Sequence, residues 1–101
     1  MDGLNGTFSV KHGSPGGEQR LKITFNVDGD TFDGTCENMG VVYPLLNCAF
    51  SGNDVTFAYI QETPMGPMKP QYRGTLDGDT FNGKVKLGGS YGFRKFTGER
   101  M

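Results

Sequence analysis

The sequence predicts an all-β chain, a small antiparallel up-and-down meander of about eight strands rolled into a barrel. Three observations lead there. Apolar and polar residues alternate with period two over long stretches, as a strand with one buried face requires. Those stretches are separated by Asp-Gly and Ser-Gly turns. Seventeen glycines and five prolines, with no collagen period, read as many turns in a short chain.

An internal echo sets the turns. Val27-Asp28-Gly29-Asp30-Thr31-Phe32 returns as Leu76-Asp77-Gly78-Asp79-Thr80-Phe81, with a weaker copy at Phe50-Ser51-Gly52-Asn53-Asp54-Val55. Each copy is an apolar strand end, a tight turn and an apolar strand start. The glycine supplies the positive φ that a tight hairpin needs.

Strands are expected near 4–11, 18–28, 31–38, 41–50, 53–61, 68–76, 79–87 and 91–100. In the first, Leu4, Gly6, Phe8 and Val10 oppose Asn5, Thr7, Ser9 and Lys11. In the second, Leu21, Ile23, Phe25 and Val27 oppose Lys22, Thr24, Asn26 and Asp28. The echo carries the third through Phe32 and Gly34. The fourth, Val41 to Phe50, is apolar on both faces. Anchored on Phe50 facing inward, it turns Cys48, Leu46 and Val42 inward and Tyr43, Leu45 and Ala49 outward. Val55, Phe57 and Tyr59 mark the fifth strand, and Tyr72, Gly74 and Leu76 the sixth. Phe81, Gly83, Val85 and Leu87 mark the seventh. In the last, Phe96 and Gly98 point in, leaving Tyr91 and Phe93 outside.

An open sheet of eight strands would leave two unpaired edges, and no helix is expected to cover a face. Closure removes the edges and buries one face against itself. A two-sheet β-sandwich is the rival. Gly6, Gly34, Gly74, Gly83 and Gly98 fall on the inward register, where glycine lets a strand coil sharply, and this favours the barrel. Six phenylalanines, Phe8, Phe25, Phe32, Phe57, Phe81 and Phe96, are candidates to fill it.

A length of 101 residues implies one domain, residues 1–101, with one modest core. A hydrophobic content of 35%, including eight Phe and four Tyr, suffices for that core. No apolar run approaches the ~20 residues of a membrane helix, so no membrane partner is expected. The first residues lack the basic end and apolar run of an export signal, so the expected location is cytoplasmic. Cys36 and Cys48 fall on neighbouring strands without facing each other, and read as reduced thiols.

Ten Lys and Arg against eleven Asp and Glu give a formal net charge of −1, with the charges scattered. Nothing there steers the chain toward nucleic acid. Arg73, Lys84 and Lys86 face outward but are diluted by Thr80 and Asn82, with no exposed aromatic on the same strands. Arg94-Lys95 beside Tyr91 and Phe93 is the one hint to the contrary.

No cofactor or metal is expected. His12 is the only histidine, and the cysteines lack metal-ligand spacing. Turn aspartates such as Asp28 and Asp77 do not have the spacing of a calcium loop. The pairs Gly16-Gly17 and Gly88-Gly89 introduce no helix, which excludes a phosphate loop. Polar residues that reach the inward register near strand ends are His12, Gln61, Arg94 and Arg100, with Glu18 and Glu62 nearby. An inward Arg94 needs an anion to satisfy it, and the alternative is a bulge that turns it to solvent.

The phrases Gly29-Asp30-Thr31-Phe32-Asp33-Gly34-Thr35 and Gly78-Asp79-Thr80-Phe81-Asn82-Gly83-Lys84 resemble small Gly-rich all-β domains of uncharacterised bacterial proteins, over about residues 18–100. In general plan the chain is also similar to lipocalin-like, calycin-type barrels. That resemblance implies a barrel binding an apolar small molecule, and it transfers no catalytic residue.

Three functions follow as expectations. The first is an apolar ligand in a barrel mouth lined by Phe57, Tyr59, Tyr72 and Arg94 under a Met65–Met68 loop, which requires a concave opening. The second is a filled structural or homodimeric module meeting its partner through Tyr43, Leu45, Tyr91 and Phe93, which requires a solid interior. For the fourth strand the alternative to such an interface is a bulge near Pro44 that shifts the register. The third is a small isomerase or cyclase using Arg94, Tyr59 or Glu62, and an enzyme is the less expected outcome.

Overall fold

The computed structural model describes residues 2–14, 17–64, 66–87 and 92–101. A 3-10 turn, Asp2–Leu4, precedes β1 (Gly6–Ser14), β2 (Gly17–Asp28), β3 (Thr31–Asn38), β4 (Val41–Pro44), β5 (Leu46–Ser51) and β6 (Asp54–Ala58). A short hairpin of β7 (Gln61–Thr63) and β8 (Gly66–Met68) follows, then β9 (Gln71–Asp77), β10 (Thr80–Lys86) and β11 (Phe93–Arg100).

Among the described residues nine strands form one sheet in the order β4-β3-β2-β1-β11-β10-β9-β6-β5, and β7 and β8 form a separate two-stranded sheet. The first and last strands of that order are consecutive in the chain. β4 is bonded to β3 and β5 to β6, and between them the Leu45 N–H donates to the Gly34 carbonyl at 3.0 Å. One bent segment thus joins both ends of the sheet, each half pairing with one neighbour. Counting β4 and β5 as one, nine strands occupy eight positions around an antiparallel, near-closed up-and-down barrel. The first and last strands pair directly, from Phe8 opposite Arg100 to His12 opposite Phe96. A continuous wall of this kind replaces the sandwich alternative.

The three echoed turns behave as their sequences require: Gly29, Gly52 and Gly78 take φ of 62°, 60° and 60°. Period two then delivers the core. Leu21, Ile23, Phe25, Val55, Phe57, Tyr72, Leu76, Phe81, Val85 and Phe96 are all buried. Phe25 sits at the centre, its ring 5.8 Å from Phe8, 5.6 Å from Phe32, 5.4 Å from Phe57 and 5.8 Å from Phe81, all edge-on. Edge-to-face packing is the arrangement aromatic quadrupoles prefer. An eight-stranded barrel is just wide enough for side chains to fill, and here rings from opposite walls meet.

The fourth predicted strand needs correction. Leu46 pairs with Ala58 and Ala49 with Thr56, so β5 advances three residues while β6 advances two. The extra residue is a bulge, and Asn47 sits in it at φ 55°, a left-handed conformation asparagine tolerates. One inserted residue reverses every side chain before it. Leu45, expected outside, is buried, and Tyr43 packs against the core rather than facing solvent. The exposed apolar residues there are Met39, 89% exposed, with Val41 and Val42 at 50% and 59%. The fifth and sixth predicted strands are also shorter than expected, because Gln61 and Met68 belong to the β7–β8 hairpin and not to the wall.

One end of the barrel is tied shut by Arg100. Its guanidinium lies 4.6 Å over the Phe8 ring, donates to the carbonyls of Gly3 and Asn5, and pairs with Asp79 at 2.9 Å. A planar fork can serve all of these at once, which a lysine ammonium cannot. Replacing Arg100 with Ala is expected to lower stability by about 2 kcal/mol, with Arg100→Lys recovering less than half. Urea denaturation checks this, and a loss below about 0.5 kcal/mol would mean the clamp is ornamental.

Candidate functional site

The other end, where β1, β3 and β6 finish and β9 begins, gathers polar groups on the inward register. Tyr72 lies opposite Phe57 on β6, and the two rings stack at 5.0 Å with an interplanar angle of 8°. Tyr59, just past the end of β6, continues the stack 6.1 Å from Tyr72. Tyr43 closes its other side at 5.2 Å. His12 follows Val10 inward, as its register predicts, and is buried.

Hydrogen bonds order this end. Gly13 O can only accept, so the 2.9 Å contact from His12 Nδ1 puts the proton on that nitrogen. In the neutral ring Nε2 is then an acceptor for the Tyr72 hydroxyl, 3.2 Å away. Tyr59 donates to Gln61 Oε1 at 3.3 Å, linking the stack to the first residue of the β7–β8 hairpin. Asn38 Nδ2 donates to Gln19 Oε1 at 3.5 Å. Asn38 is 4% exposed, and its Oδ1 has no hydrogen-bond partner among the described residues. A buried acceptor left unmatched costs about 1–3 kcal/mol, so this atom calls for a donor.

Burial dominates the titration behaviour. It pushes the Cys36 thiol up to about 12, a hydrogen bond with Tyr59 opposing it in part. It also raises the Tyr59 and Tyr72 phenols, with the charges of Cys36 and Tyr59 respectively adding to the rise. Cys48, half-buried, is raised by desolvation and then by Asp33. A thiol and phenols held protonated are poor nucleophiles and bases near neutrality.

These shifts fix a sign for stability against pH. Each group holds its proton more tightly folded than unfolded, so its contribution is complete below the ordinary values of 9.0 for cysteine and 10.0 for tyrosine. It is lost as pH rises from there through the folded values. The urea midpoint is expected to stay flat from about pH 6 to 8 and to fall steadily above about pH 9. Tyr72→Phe removes one ionising group and should make that alkaline fall shallower. A midpoint insensitive to pH up to about 11 would contradict the burial of this cluster.

The predicted ligand-lining residues divide. Phe57, Tyr59 and Tyr72 come together, but as packed core. Arg94 stands opposite Val85 on the inward register, half-buried, and donates to the Phe93 carbonyl at 3.1 Å. Met68 is half-buried on β8, and Met65 lies outside the described residues. Of the predicted interface residues, Phe93 is 64% exposed, Tyr43 and Leu45 face the interior, and Tyr91 lies outside the described residues. Among the described residues no group of three His, Cys, Asp or Glu could hold a metal, and no helix is long and apolar enough to cross a membrane.

Asn38 was not anticipated, although extending Phe32, Gly34 and Cys36 by two positions reaches it. Also unanticipated is a groove of about 580 Å³ on the outer wall, over β6, β9 and β10, with Thr56, Arg73, Lys84 and Phe93 in its lining.

Fold and site together define a near-closed antiparallel meander barrel with an aromatic interior and a polar cluster at one mouth. No family model, curated protein or solved structure matches the chain.

Proposed function

We propose that this chain is a binding module and not an enzyme, taking a small, mainly apolar molecule with one hydrogen-bond donor at the mouth where Asn38, Tyr59, Tyr72 and His12 meet. The single observation behind the reading is the buried Asn38 Oδ1, unmatched among the described residues, beside the Tyr59–Tyr72 stack. Planar apolar surface supplies affinity there, and one donor supplies orientation, as in most small-molecule sites. The β7–β8 hairpin, whose described residues form a separate two-stranded sheet, is the piece suited to move aside. Lipocalin-like barrels share this logic of a ligand entering at one end. In this chain the interior is occupied by Phe25, Phe57 and Phe81, so the ligand seats on the mouth floor and not deep in the barrel.

That same ring packing favours a second reading, a filled module that binds no small molecule. Thermal shift with 1-naphthol and with 1-methoxynaphthalene separates them. The first reading expects saturable stabilisation by 1-naphthol, about tenfold weaker for the ether that lacks the donor, and no such difference in Asn38→Leu. Absence of saturation by either compound would leave the filled module standing.

A further inference from the structure

The register of the barrel assembles a row of cations that no single strand displays. Arg73 on β9 lies directly opposite Lys84 on β10, and Lys84 directly opposite Lys95 on β11. Lys11 on β1, opposite Thr97, stands diagonal to Lys95 and extends the row to a fourth strand. All four side chains are exposed, and none forms an ion pair among the described residues. Lys86 flanks the row, and opposite it stands Phe93, 64% exposed. Arg73, Lys84, Lys86 and Phe93 line the outer-wall groove of about 580 Å³. Its one acid, Asp54, stands opposite Thr75 and diagonal to Arg73 at the end of the row, and it accepts from Thr75 Oγ1 at 3.1 Å.

Like charges at directly opposite positions of a sheet repel and destabilise it. Two such pairs side by side, Arg73–Lys84 and Lys84–Lys95, are relieved by an anion shared between them. Adjacent strands are about 4.8 Å apart, so the row presents positive charge as a line across the wall. An aromatic face next to such a line matches a ligand that carries an anion and a planar ring in each repeating unit.

We infer that the outer wall over β9, β10 and β11 binds single-stranded nucleic acid, its phosphates along Lys11, Lys95, Lys84 and Arg73 and a base stacked on Phe93. Stacking accepts any base, so binding is sequence-tolerant. A duplex keeps its bases paired and has none to give to Phe93. The net charge of −1 does not oppose this, because the acids nearest the row stand at its two ends, with Asp54 accepting from Thr75 at one and Glu18 paired with Arg20 at the other. The sequence spoke against nucleic acid because Lys84 and Phe93 are apart in the chain, and only the pairing of β10 with β11 brings their rows together.

Fluorescence anisotropy with a labelled short oligothymidylate tests the inference on the full chain. Saturable binding is expected at about 50 mM salt, with log K falling against log salt at a slope of about −2 to −3 for three to four phosphates. Phe93→Ala and an abasic strand of equal length should each weaken binding about tenfold. Lys84→Glu should weaken it further and flatten the salt slope. All these positions are exposed, and circular dichroism melting verifies that the variants fold. The inference fails if the oligonucleotide does not bind saturably. It also fails if inorganic polyphosphate, the abasic strand or a duplex binds as well as the oligonucleotide while Phe93→Ala has no effect.

Discussion

Substituting Gly83 with alanine is expected to cost about 3 kcal/mol or more, enough to leave much of the chain unfolded at room temperature if the domain sits near the low end of the usual range. A Cβ at Gly83 would fall 2.0 Å from the Arg73 carbonyl oxygen and 2.5 Å from Gly74 Cα. Both are backbone atoms of the paired strand, so no side chain can swing away to make room. Gly74, directly opposite, is equally confined, its own Cβ position lying 2.7 Å from the rings of Phe81 and Phe96. The pair marks where β9 and β10 coil tightly enough for those rings to fill the barrel. Denaturation of Gly83→Ala beside an exposed control such as Asn82→Ala gives the comparison. A loss similar to the control's would show that the wall is flatter than described.

Phe25→Ala is the second large effect, expected at about 3–5 kcal/mol. Its ring touches rings from four other strand positions, and the residue is fully buried. Deleting it removes the transfer free energy of the ring and leaves a void that a stiff closed wall collapses only partly to fill. Phe25→Leu should recover about half the loss, since it restores apolar volume without the edge-on contacts. Chemical denaturation of both variants measures it. A Phe25→Ala cost below about 1.5 kcal/mol would indicate a loosely packed interior with room already present.

Much of this architecture was legible in the residues because two rules acted locally. Asp-Gly and Ser-Gly specify tight turns, and Gly29, Gly52 and Gly78 adopt the conformation those turns demand. Alternation then assigned inside and outside along β1, β2, β9 and β10 without knowledge of their neighbours. The same rule failed on β4 and β5, where the alternative of a register-shifting bulge near Pro44 describes the segment better, although the pattern does not single out Asn47 as its position. Asn47 looks like any polar strand residue, yet it reverses Tyr43 and Leu45.

The functional surfaces were less legible, for a different reason. Tyr59 and Tyr72 stand out in the sequence and do meet, but their partners His12 and Asn38 come from β1 and β3, and only closure brings them there. The cation row depends on cross-strand register, which pattern within a strand does not fix. Arg100, noted only as inward-facing, clamps the end of the barrel opposite the candidate site.

Everything functional here presumes a closed wall whose interior is occupied by rings. Nuclear Overhauser contacts between assigned aromatic protons of Phe25 on β2 and those of Phe57 on β6 and Phe81 on β10 address that directly. Strong cross-peaks for both pairs are predicted, from centroid separations of 5.4 Å and 5.8 Å. If neither pair gave a cross-peak while each strand kept its contacts with its immediate neighbours, the sheet would be open or the barrel hollow, contradicting the account.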